Sequence, residues 1–347
     1  MPEPLRVGVV GVGRLGRIHA RVYGELEGVK LIAVADTDGE AASGTAKAFG
    51  CEGSSDFRDL LGKVDAVSVA TPTSTHADIG TAFLERGVHV LMEKPMGRTL
   101  EEADRLVASA KAGDALLQPG HVERFNPALQ AAEKAISTPL FIEAHRLSPF
   151  SFRSSDIDVT LDLMIHDIDI IRHLVKSPLE RVDAVGVSLI SGSEDIANAR
   201  FTFANGCVAN VTASRVSAKR MRKIRVFSRE GYLSLDYGEL RALLFQPTED
   251  VLHGRVNPLE IPDEAKADPL PYFLTHLVNV KEIPFNEHEP LKGELEAFVA
   301  SIRDGRTPPV SGEEGRAAIE IAEAVKLAMR EHMDRVRSRG MILEDTP

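Results

Sequence analysis

The sequence predicts an α/β protein with two domains: a doubly wound parallel sheet, followed by an α+β domain with an open, mostly antiparallel sheet. The chain has 347 residues, more than one domain usually holds. Short apolar runs alternate with helical patterns through residues 1–122, which is typical of a parallel sheet. In residues 123–347, strand patterns follow one another across hairpin-length turns instead. We therefore place the domain boundary between residues 122 and 123.

The N-terminal domain is predicted to alternate strand and helix. The strand predictions are Arg6–Val10, Leu31–Ala35, Ala66–Ala70, His89–Met92 and Ala115–Gln118. The helix predictions are Arg14–Leu26, Glu40–Phe49, Thr75–Arg86 and Leu100–Ala112. Because right-handed crossovers place the carboxyl ends of parallel strands on one edge, we expect the ligand site at that edge.

The second domain has a different pattern. Its strand predictions are Phe141–Leu147, Val182–Leu189, Ala197–Phe203, Val208–Ser214, Lys223–Phe227 and Tyr232–Asp236. Ala204-Asn205-Gly206 is a hairpin-length turn between two of them. A long helical pattern over Gly312–Val336 is expected to pack back on the body of the protein. Residues 249–284 are proline-rich and weakly periodic, and we interpret them as a long excursion or a partner-contact loop.

Composition excludes several functional classes. Lys and Arg number 41 against 52 Asp and Glu, and the resulting net charge of −11 is unfavourable for nucleic-acid binding. No apolar run approaches the roughly 20 residues that span a bilayer, so no membrane association is expected. Cys51 and Cys207 form no paired motif, and we interpret both as small buried residues. These features predict a cytoplasmic protein.

A glycine-rich turn follows the first predicted strand and opens the first helix. In Gly11-x-Gly13-x-x-Gly16, the first glycine permits the tight turn, the second lets backbone approach a pyrophosphate, and the third lets helix and sheet pack closely. Asp36 ends the next strand about 20 residues later, where a carboxylate accepts hydrogen bonds from ribose hydroxyls and repels a 2′-phosphate. The pattern predicts a Rossmann domain that binds NAD. Arg14 is interpreted either as a contact to adenine or pyrophosphate or as a solvated helix residue.

A second motif, Glu93-Lys94-Pro95, ends the fourth predicted strand and so points into the cleft. Together with the glycine-rich turn and Ala70-Thr71-Pro72, it resembles the Gfo/Idh/MocA oxidoreductase family. The resemblance extends over nearly the whole chain, including Pro309–Gly315 before the last helix. It implies a Rossmann domain joined to an open-sheet domain that binds substrate and forms oligomers. It also implies that Lys94 lies next to substrate and nicotinamide.

Asp162-x-x-x-His166 resembles the family's catalytic Asp/His pair. Residues four apart on a helix share a face, so both side chains can point into the cleft. Oxidising an alcohol requires removal of the hydroxyl proton, which a histidine accepts near neutral pH, while Lys94 can stabilise developing alkoxide. Asp162 would orient the substrate or tune Lys94 and His166. Asp167 and Asp169 follow on other faces of the helix. We therefore expect no metal site, and we interpret Asp169 as bonded within its helix or to a packing partner.

The expected ligand contacts extend beyond these motifs. We expect cofactor contacts from Gly11, Gly13, Arg14, Leu15, Gly16, Asp36, Thr71, Pro72, His76, Glu93 and Lys94. We expect substrate contacts from Lys94, His121, Arg124, Asn126, Asp162 and His166. Arg124 could bind phosphate and Asn126 sugar groups, although both could instead brace the domain junction.

The substrate is less strongly indicated than the cofactor. A basic cluster (Arg215, Lys219, Arg220, Arg222, Lys223, Arg225 and Arg229) is either a solvated or oligomer-contact face or a site for a diphosphate. The stretches GHVERFNPAL, LDLMIHDIDI and ANVTASRVS resemble the family branch whose members oxidise the C3 hydroxyl of UDP-N-acetylglucosamine. That resemblance implies a 3-keto product, aminated afterwards to diamino sugars for lipid A or O-antigen.

Two alternatives stay open. A dehydrogenase of a free polyol or sugar such as myo-inositol would need no diphosphate site, and a non-catalytic NAD-sensing protein would bind NAD without turnover. In either case, an open sheet face would be buried between subunits, which predicts a homodimer or homotetramer.

Overall fold

A computed structural model describes residues 3–150 and 157–339 of the chain. The chain divides into two compact units. Unit 1 comprises Met1–Phe125 and His288–Ala324, and unit 2 comprises Asn126–Glu287 and Val325–Pro347. A segment near the C-terminus therefore belongs to the same unit as the N-terminal sheet.

The sheet of unit 1 is parallel throughout. Its strands are β1 (Leu5–Val10), β2 (Val29–Ala35), β3 (Glu52–Ser54), β4 (Ala66–Val69), β5 (His89–Glu93) and β6 (Leu117–Gly120). They lie in the order β3-β2-β1-β4-β5-β6, and each neighbouring pair is parallel. The strand order reverses between β1 and β4, and in such sheets the crevice at this switch point binds ligands.

The sheet of unit 2 is mostly antiparallel. Its strands are β7 (Phe141–Leu147), β8 (Leu179–Val187), β9 (Ile196–Phe203), β10 (Val208–Ser214), β11 (Met221–Ser228), β12 (Gly231–Asp236), β13 (Arg241–Pro247) and β14 (Val278–Glu282). They lie in the order β14-β13-β12-β11-β7-β10-β9-β8, and β7 pairs with β10 in parallel. The remaining pairs are antiparallel.

Helices cover parts of both sheets. They are α1 (Arg14–Glu25), α2 (Gly39–Phe49), α3 (His76–Leu84), α4 (Leu100–Ala112), α5 (Pro127–Ala132), α6 (Ile165–Val175), α7 (Glu249–Leu252), α8 (Asp263–Ala267), α9 (Pro269–Tyr272), α10 (Pro290–Asp304) and α11 (Gly312–Ser338). Within residues 3–150 and 157–339, none of these helices is long and apolar enough to cross a membrane.

The core of unit 1 joins distant parts of the chain. Val7 and Val9 of β1, Val22 of α1, and Leu295 and Phe298 of α10 are buried in one hydrophobic cluster. Burial of such side chains contributes about 1.5–3 kcal/mol each, so α10 is an integral part of this core. No prediction from the sequence covered α10.

The predicted fold class is confirmed, with both sheets of the expected kind. The structure also contains strands that were not predicted from the sequence. β3 has three residues, too few for a period-2 pattern to register. β13 and β14 form a hairpin-like pair that encloses residues 248–277. This segment holds the short helices α7, α8 and α9, which explains its weak periodicity.

One face of the second sheet carries a row of aromatic rings. Phe141, Phe227, Tyr232 and Phe245 lie on neighbouring strands β7, β11, β12 and β13, with ring centroids 5.7, 5.1 and 4.3 Å apart in succession. Each ring is half-buried, whereas the alternating residues on the opposite face are fully buried. The aromatic row therefore lies on the more open face of the sheet.

Candidate active site

The glycine-rich turn joins β1 to α1 with very little free space. Gly11 has φ +83°, and a Cβ there would lie 2.7 Å from the Ala70 carbonyl oxygen. A Cβ on Gly16 would overlap the carbonyl oxygen of Gly11. Gly13 is different, because a Cβ there would meet none of the described atoms within 4 Å. The turn is thus closely packed on the protein side and open at Gly13, where the backbone of a Rossmann turn approaches a pyrophosphate.

Asp36, at the end of β2, helps to hold this turn. The Val12 N–H donates to Asp36 Oδ2 at 2.7 Å, and the Asp38 N–H donates to Asp36 Oδ1 at 3.0 Å. Each carboxylate oxygen has two acceptor sites, so these bonds leave capacity for ribose hydroxyls. The arrangement at the carboxyl ends of β1 and β2 fits a dinucleotide that has no 2′-phosphate.

The carboxyl end of β5 presents Glu93 and Lys94. Lys94 is half-buried, and its backbone N–H donates to Glu93 Oε2 at 3.2 Å. The Glu93 side chain turns inward, where Oε1 lies 2.9 Å from Nε2 of His19 on α1. Burial raises the pKa of Glu93, but its interactions with His19 and Lys94 outweigh this and leave the pKa below its ordinary value. The predictions for this edge did not include His19.

His76 lies between the loops that follow β4 and β5. Its Nδ1 is 2.9 Å from the Pro95 carbonyl oxygen, and its Nε2 is 2.9 Å from the Thr71 carbonyl oxygen. Burial lowers the pKa of His76 below its ordinary value, although both carbonyls oppose this. Both ring nitrogens face backbone, so the geometry gives His76 a bracing position. The cofactor contact expected of it stays a prediction.

Thr71 and Pro72 follow β4 at the same edge of the sheet. Thr75 Oγ1 donates at 2.8 Å to Thr71 Oγ1 and also lies 2.8 Å from the Pro72 carbonyl oxygen. At the start of α1, Arg14 and Leu15 are both exposed. The structure of unit 1 therefore brings all the predicted cofactor residues to the carboxyl edge of one sheet.

In unit 2, Asp162 and His166 lie where a π-helical turn (Thr160–Met164) continues into α6. Both side chains are half-buried. A π-helical turn within a helix is rare and frequently marks a functional site. Helical spacing was predicted for this pair from the sequence, but the π-helical turn was not.

The neighbouring aspartates are fully buried. Asp167 accepts two hydrogen bonds from the Arg146 guanidinium of β7, at 2.9 and 3.0 Å. A buried charge without its partner is strongly destabilising, so this ion pair explains Asp167 without any catalytic role. No group of three potential metal ligands occurs within residues 3–150 and 157–339.

Arg124 and Asn126 each make contacts within their own unit. The Arg124 side chain is 7% exposed, and its Nη2 lies 3.3 Å from Glu314 Oε1 and 3.2 Å from the Pro309 carbonyl oxygen. Asn126 Oδ1 accepts the Ala128 N–H at 3.0 Å and caps the N-terminus of α5. His121 is buried. These contacts hold Arg124 within unit 1 and Asn126 within unit 2, and the substrate contacts expected of both residues stay predictions.

The basic cluster is divided rather than continuous. Arg215 is buried and pairs with the buried Asp195 at 3.0 Å, while Lys223 and Arg225 pair with Asp236 and Glu143 on neighbouring strands. Exposed side chains remain at Lys219, Arg220, Arg222 and Arg229. A single diphosphate site formed by the whole cluster is therefore not supported.

Comparisons with known proteins cover most of the chain. Residues 5–121 match the family described as "Oxidoreductase family, NAD-binding Rossmann fold", and residues 100–234 match "GFO/IDH/MocA C-terminal domain". The chain is 35% identical over 332 residues to UDP-N-acetylglucosamine 3-dehydrogenase of Acidithiobacillus ferrooxidans, covering 95% of this chain and 99% of the relative. The crystal structure of that enzyme superposes with a TM-score of 0.81 at 34% identity, covering 94% and 97% of the two chains.

Polyol dehydrogenases are also relatives. Myo-inositol 2-dehydrogenase of Thermotoga maritima is 25% identical over 346 residues, which is 94% of this chain and 97% of the relative. The family resemblance and the NAD cofactor predicted from the sequence are confirmed. This chain belongs to the Gfo/Idh/MocA family and is an NAD-dependent oxidoreductase.

Proposed function

We propose that the protein oxidises the C3 hydroxyl of UDP-N-acetylglucosamine to the 3-keto sugar, with NAD as the acceptor. The observation that carries this proposal is 35% identity to an enzyme of that name, over 95% of this chain and 99% of the relative. Three inositol dehydrogenases that cover 94–96% of the chain are 25–29% identical to it, and two others are 35–36% identical over 51–53% of the chain. Their similarity keeps a free polyol such as myo-inositol as the second candidate substrate.

The cofactor contacts follow from the geometry of unit 1. When bound, NAD supplies the acceptor for a hydride from the carbon that bears the hydroxyl. The open side of Gly13 and the N–H groups at the start of α1 would hold the pyrophosphate, since helix N-termini attract phosphate. Asp36 would accept ribose hydroxyls with its remaining lone pairs. Leu15 is an apolar residue 42% exposed at the start of α1, a position suited to contact with a ring of the dinucleotide.

The chemical step needs a proton acceptor and a group that stabilises developing negative charge. We assign the first role to His166 and the second to Lys94, with Asp162 orienting the substrate or His166. An imidazole accepts a proton near neutral pH, and an ammonium can donate a hydrogen bond to the oxygen that loses the proton. The keto product has the carbonyl that an aminotransferase requires, which agrees with a role in diamino-sugar synthesis for lipid A or O-antigen.

The assembly is proposed to be a homodimer or homotetramer formed through the open face of the second sheet. Phe141, Phe227, Tyr232 and Phe245 give this face an apolar row that a second copy of the chain would cover. Ion pairs flank the row, as between Arg225 and Glu143 at the next register position. This pattern of an apolar strip bordered by polar groups is common in protein interfaces.

A substrate panel tests the reaction. NADH absorbance is followed with UDP-N-acetylglucosamine, UDP-glucose, N-acetylglucosamine and myo-inositol, and we expect turnover mainly with the first. Calorimetry should also detect binding of UDP alone, because much of the affinity would come from the nucleotide. Faster turnover of myo-inositol, with no UDP binding, would establish the polyol reaction instead.

His166→Asn tests the proposed base. The amide cannot accept the hydroxyl proton, so kcat should fall by about 10²–10⁴-fold. His173→Asn is a matched control on the same helix, because His173 is half-buried and pairs with Glu133 at 2.8 Å. The control should keep its turnover. Wild-type turnover in His166→Asn would remove this residue from the role.

Three glycine variants on one turn and helix test the cofactor site. Gly13→Ala should keep the wild-type Tm but weaken NAD binding by about tenfold or more, because the added methyl group enters the open side of the turn. Gly16→Ala should lower the Tm as well, since its methyl group would overlap the Gly11 carbonyl. Gly24→Ala, on the exposed side of α1, should bind NAD normally. Equal NAD affinity of Gly13→Ala and wild type would contradict the assignment.

Light scattering tests the assembly. The chain mass is 37.7 kDa, and we expect the wild type to elute at two or four times this value. Tyr232→Lys places a charge in the aromatic row, and so should shift the protein towards smaller species. A monomeric wild type at micromolar concentration would overturn the proposed interface.

A further inference from the structure

A series of hydrogen bonds in unit 1 leads to the backbone of Lys94. The Tyr23 hydroxyl lies 2.8 Å from Ser68 Oγ, and Ser68 Oγ lies 3.1 Å from Nδ1 of His19. Nε2 of His19 lies 2.9 Å from Oε1 of Glu93, and the other carboxylate oxygen accepts the Lys94 N–H. This series of hydrogen bonds therefore links helix α1 and strand β4 to the end of β5.

The chemistry of the four side chains indicates which group donates and which accepts in each hydrogen bond of this series. Burial raises the pKa of Tyr23, so its phenol stays protonated and can donate to Ser68. Ser68 can then donate to Nδ1 of His19, which leaves the proton on Nε2 to be donated to the Glu93 carboxylate. In this arrangement each of the four hydrogen-bonded side chains has a suitable partner, which avoids the cost of an unsatisfied buried polar group.

The Glu93 carboxylate is held tightly as well as hydrogen-bonded. The residue is 8% exposed, and a Cβ on the neighbouring Gly120 of β6 would lie only 3.2 Å from Glu93 Oε2. The backbone of β6 thus closes one side, and α1 closes another. The carboxylate therefore has little room to move independently of α1 and of the Lys94 peptide.

The residue after Lys94 is fixed in a similar way. His76 of α3 faces the Pro95 carbonyl at 2.9 Å with one nitrogen and the Thr71 carbonyl at 2.9 Å with the other. Lys94 is thus flanked by two neighbours, each in contact with a buried histidine from a different helix.

We propose that His19 and His76 are positioning residues for Lys94, His19 acting through the Glu93 carboxylate and His76 through the Pro95 carbonyl. His19 lies on the helix whose first turn faces the cofactor, so it ties the position of Lys94 to that of the dinucleotide. The negative charge of Glu93 also attracts the Lys94 ammonium. The catalytic consequence rests on the proposed function of Lys94.

Kinetics of His19 variants test the positioning role. His19→Leu removes the donor to Glu93, and kcat should fall by about tenfold to 10²-fold, the scale expected when a catalytic group shifts by roughly 1 Å. The KM for NAD should change much less. His19→Gln retains an N–H that can reach Glu93 and should recover most of the activity. His76→Leu should lower kcat in the same way.

His89→Leu is the matched control. His89 lies at the other end of the same strand, is half-buried, and accepts the Leu116 N–H at 2.9 Å. It should lose stability but keep kcat. Equal kcat losses in His19→Leu and His89→Leu, or in His19→Leu and His19→Gln, would overturn the proposal.

A stability cycle provides a readout without substrate or NAD. His19→Leu leaves a buried carboxylate without its donor, so its Tm should fall, and adding Glu93→Gln should recover part of the loss. Loss of the donor should raise the pKa of Glu93, so the deficit against wild type should shrink from pH 7 to pH 5. Additive Tm changes with no pH trend would exclude the His19–Glu93 coupling, whatever the substrate proves to be.

If His19→Leu does not fold, Glu93→Gln alone should still lower kcat.

Discussion

The close approach of helix α1 to the turn before it is the constraint on which the rest of unit 1 depends. A side chain at Gly16 would overlap the Gly11 carbonyl, so only glycine lets the helix lie this near to the end of β1. At this distance, the first turn of α1 faces the proposed cofactor site. Further along the same helix, His19 reaches Glu93, and Tyr23 reaches Ser68 of β4. One missing methyl group thus permits both the proposed phosphate site and the buried hydrogen bonds.

Several residues at this edge both hold the local structure in place and contribute to the proposed ligand site. Asp36 closes the glycine-rich turn through the Val12 N–H and keeps acceptor capacity for a ribose. Glu93 satisfies His19 while its charge lies next to Lys94. Such sharing makes the site rigid, because a ligand-binding group that already holds backbone in place has little freedom to move. Preorganised groups of this kind lose less entropy on binding than flexible ones.

The fold could be predicted from the sequence through elements with strong local signals. The apolar runs of β1, β2 and β4 and the glycine-rich turn were sufficient to predict a parallel sheet and its ligand edge. β14 was missed because it depends on pairing with β13 across about 30 residues of irregular chain, a long-range contact that no local pattern reveals. α10 was not predicted, and its role in the core is likewise set by tertiary packing.

The site was predicted less completely than the fold. Glu93, Lys94, Asp162 and His166 could be singled out because motif and position agree. His19 was missed because a lone histidine on a mostly apolar helix face suggests a core residue; its position one turn after Gly16 was the available signal. Arg124 was left open between a phosphate ligand and a brace because the sequence does not reveal tertiary partners, here Glu314 and the Pro309 carbonyl.

We propose that the carboxyl edge of the parallel sheet is the NAD site, where Asp36 both holds the turn and recognises the ribose. Calorimetric titration of the wild-type protein with NAD and with NADP tests it most directly. We expect NADP to bind at least about tenfold more weakly than NAD, because its 2′-phosphate would meet the Asp36 carboxylate. Equal or tighter binding of NADP would contradict it.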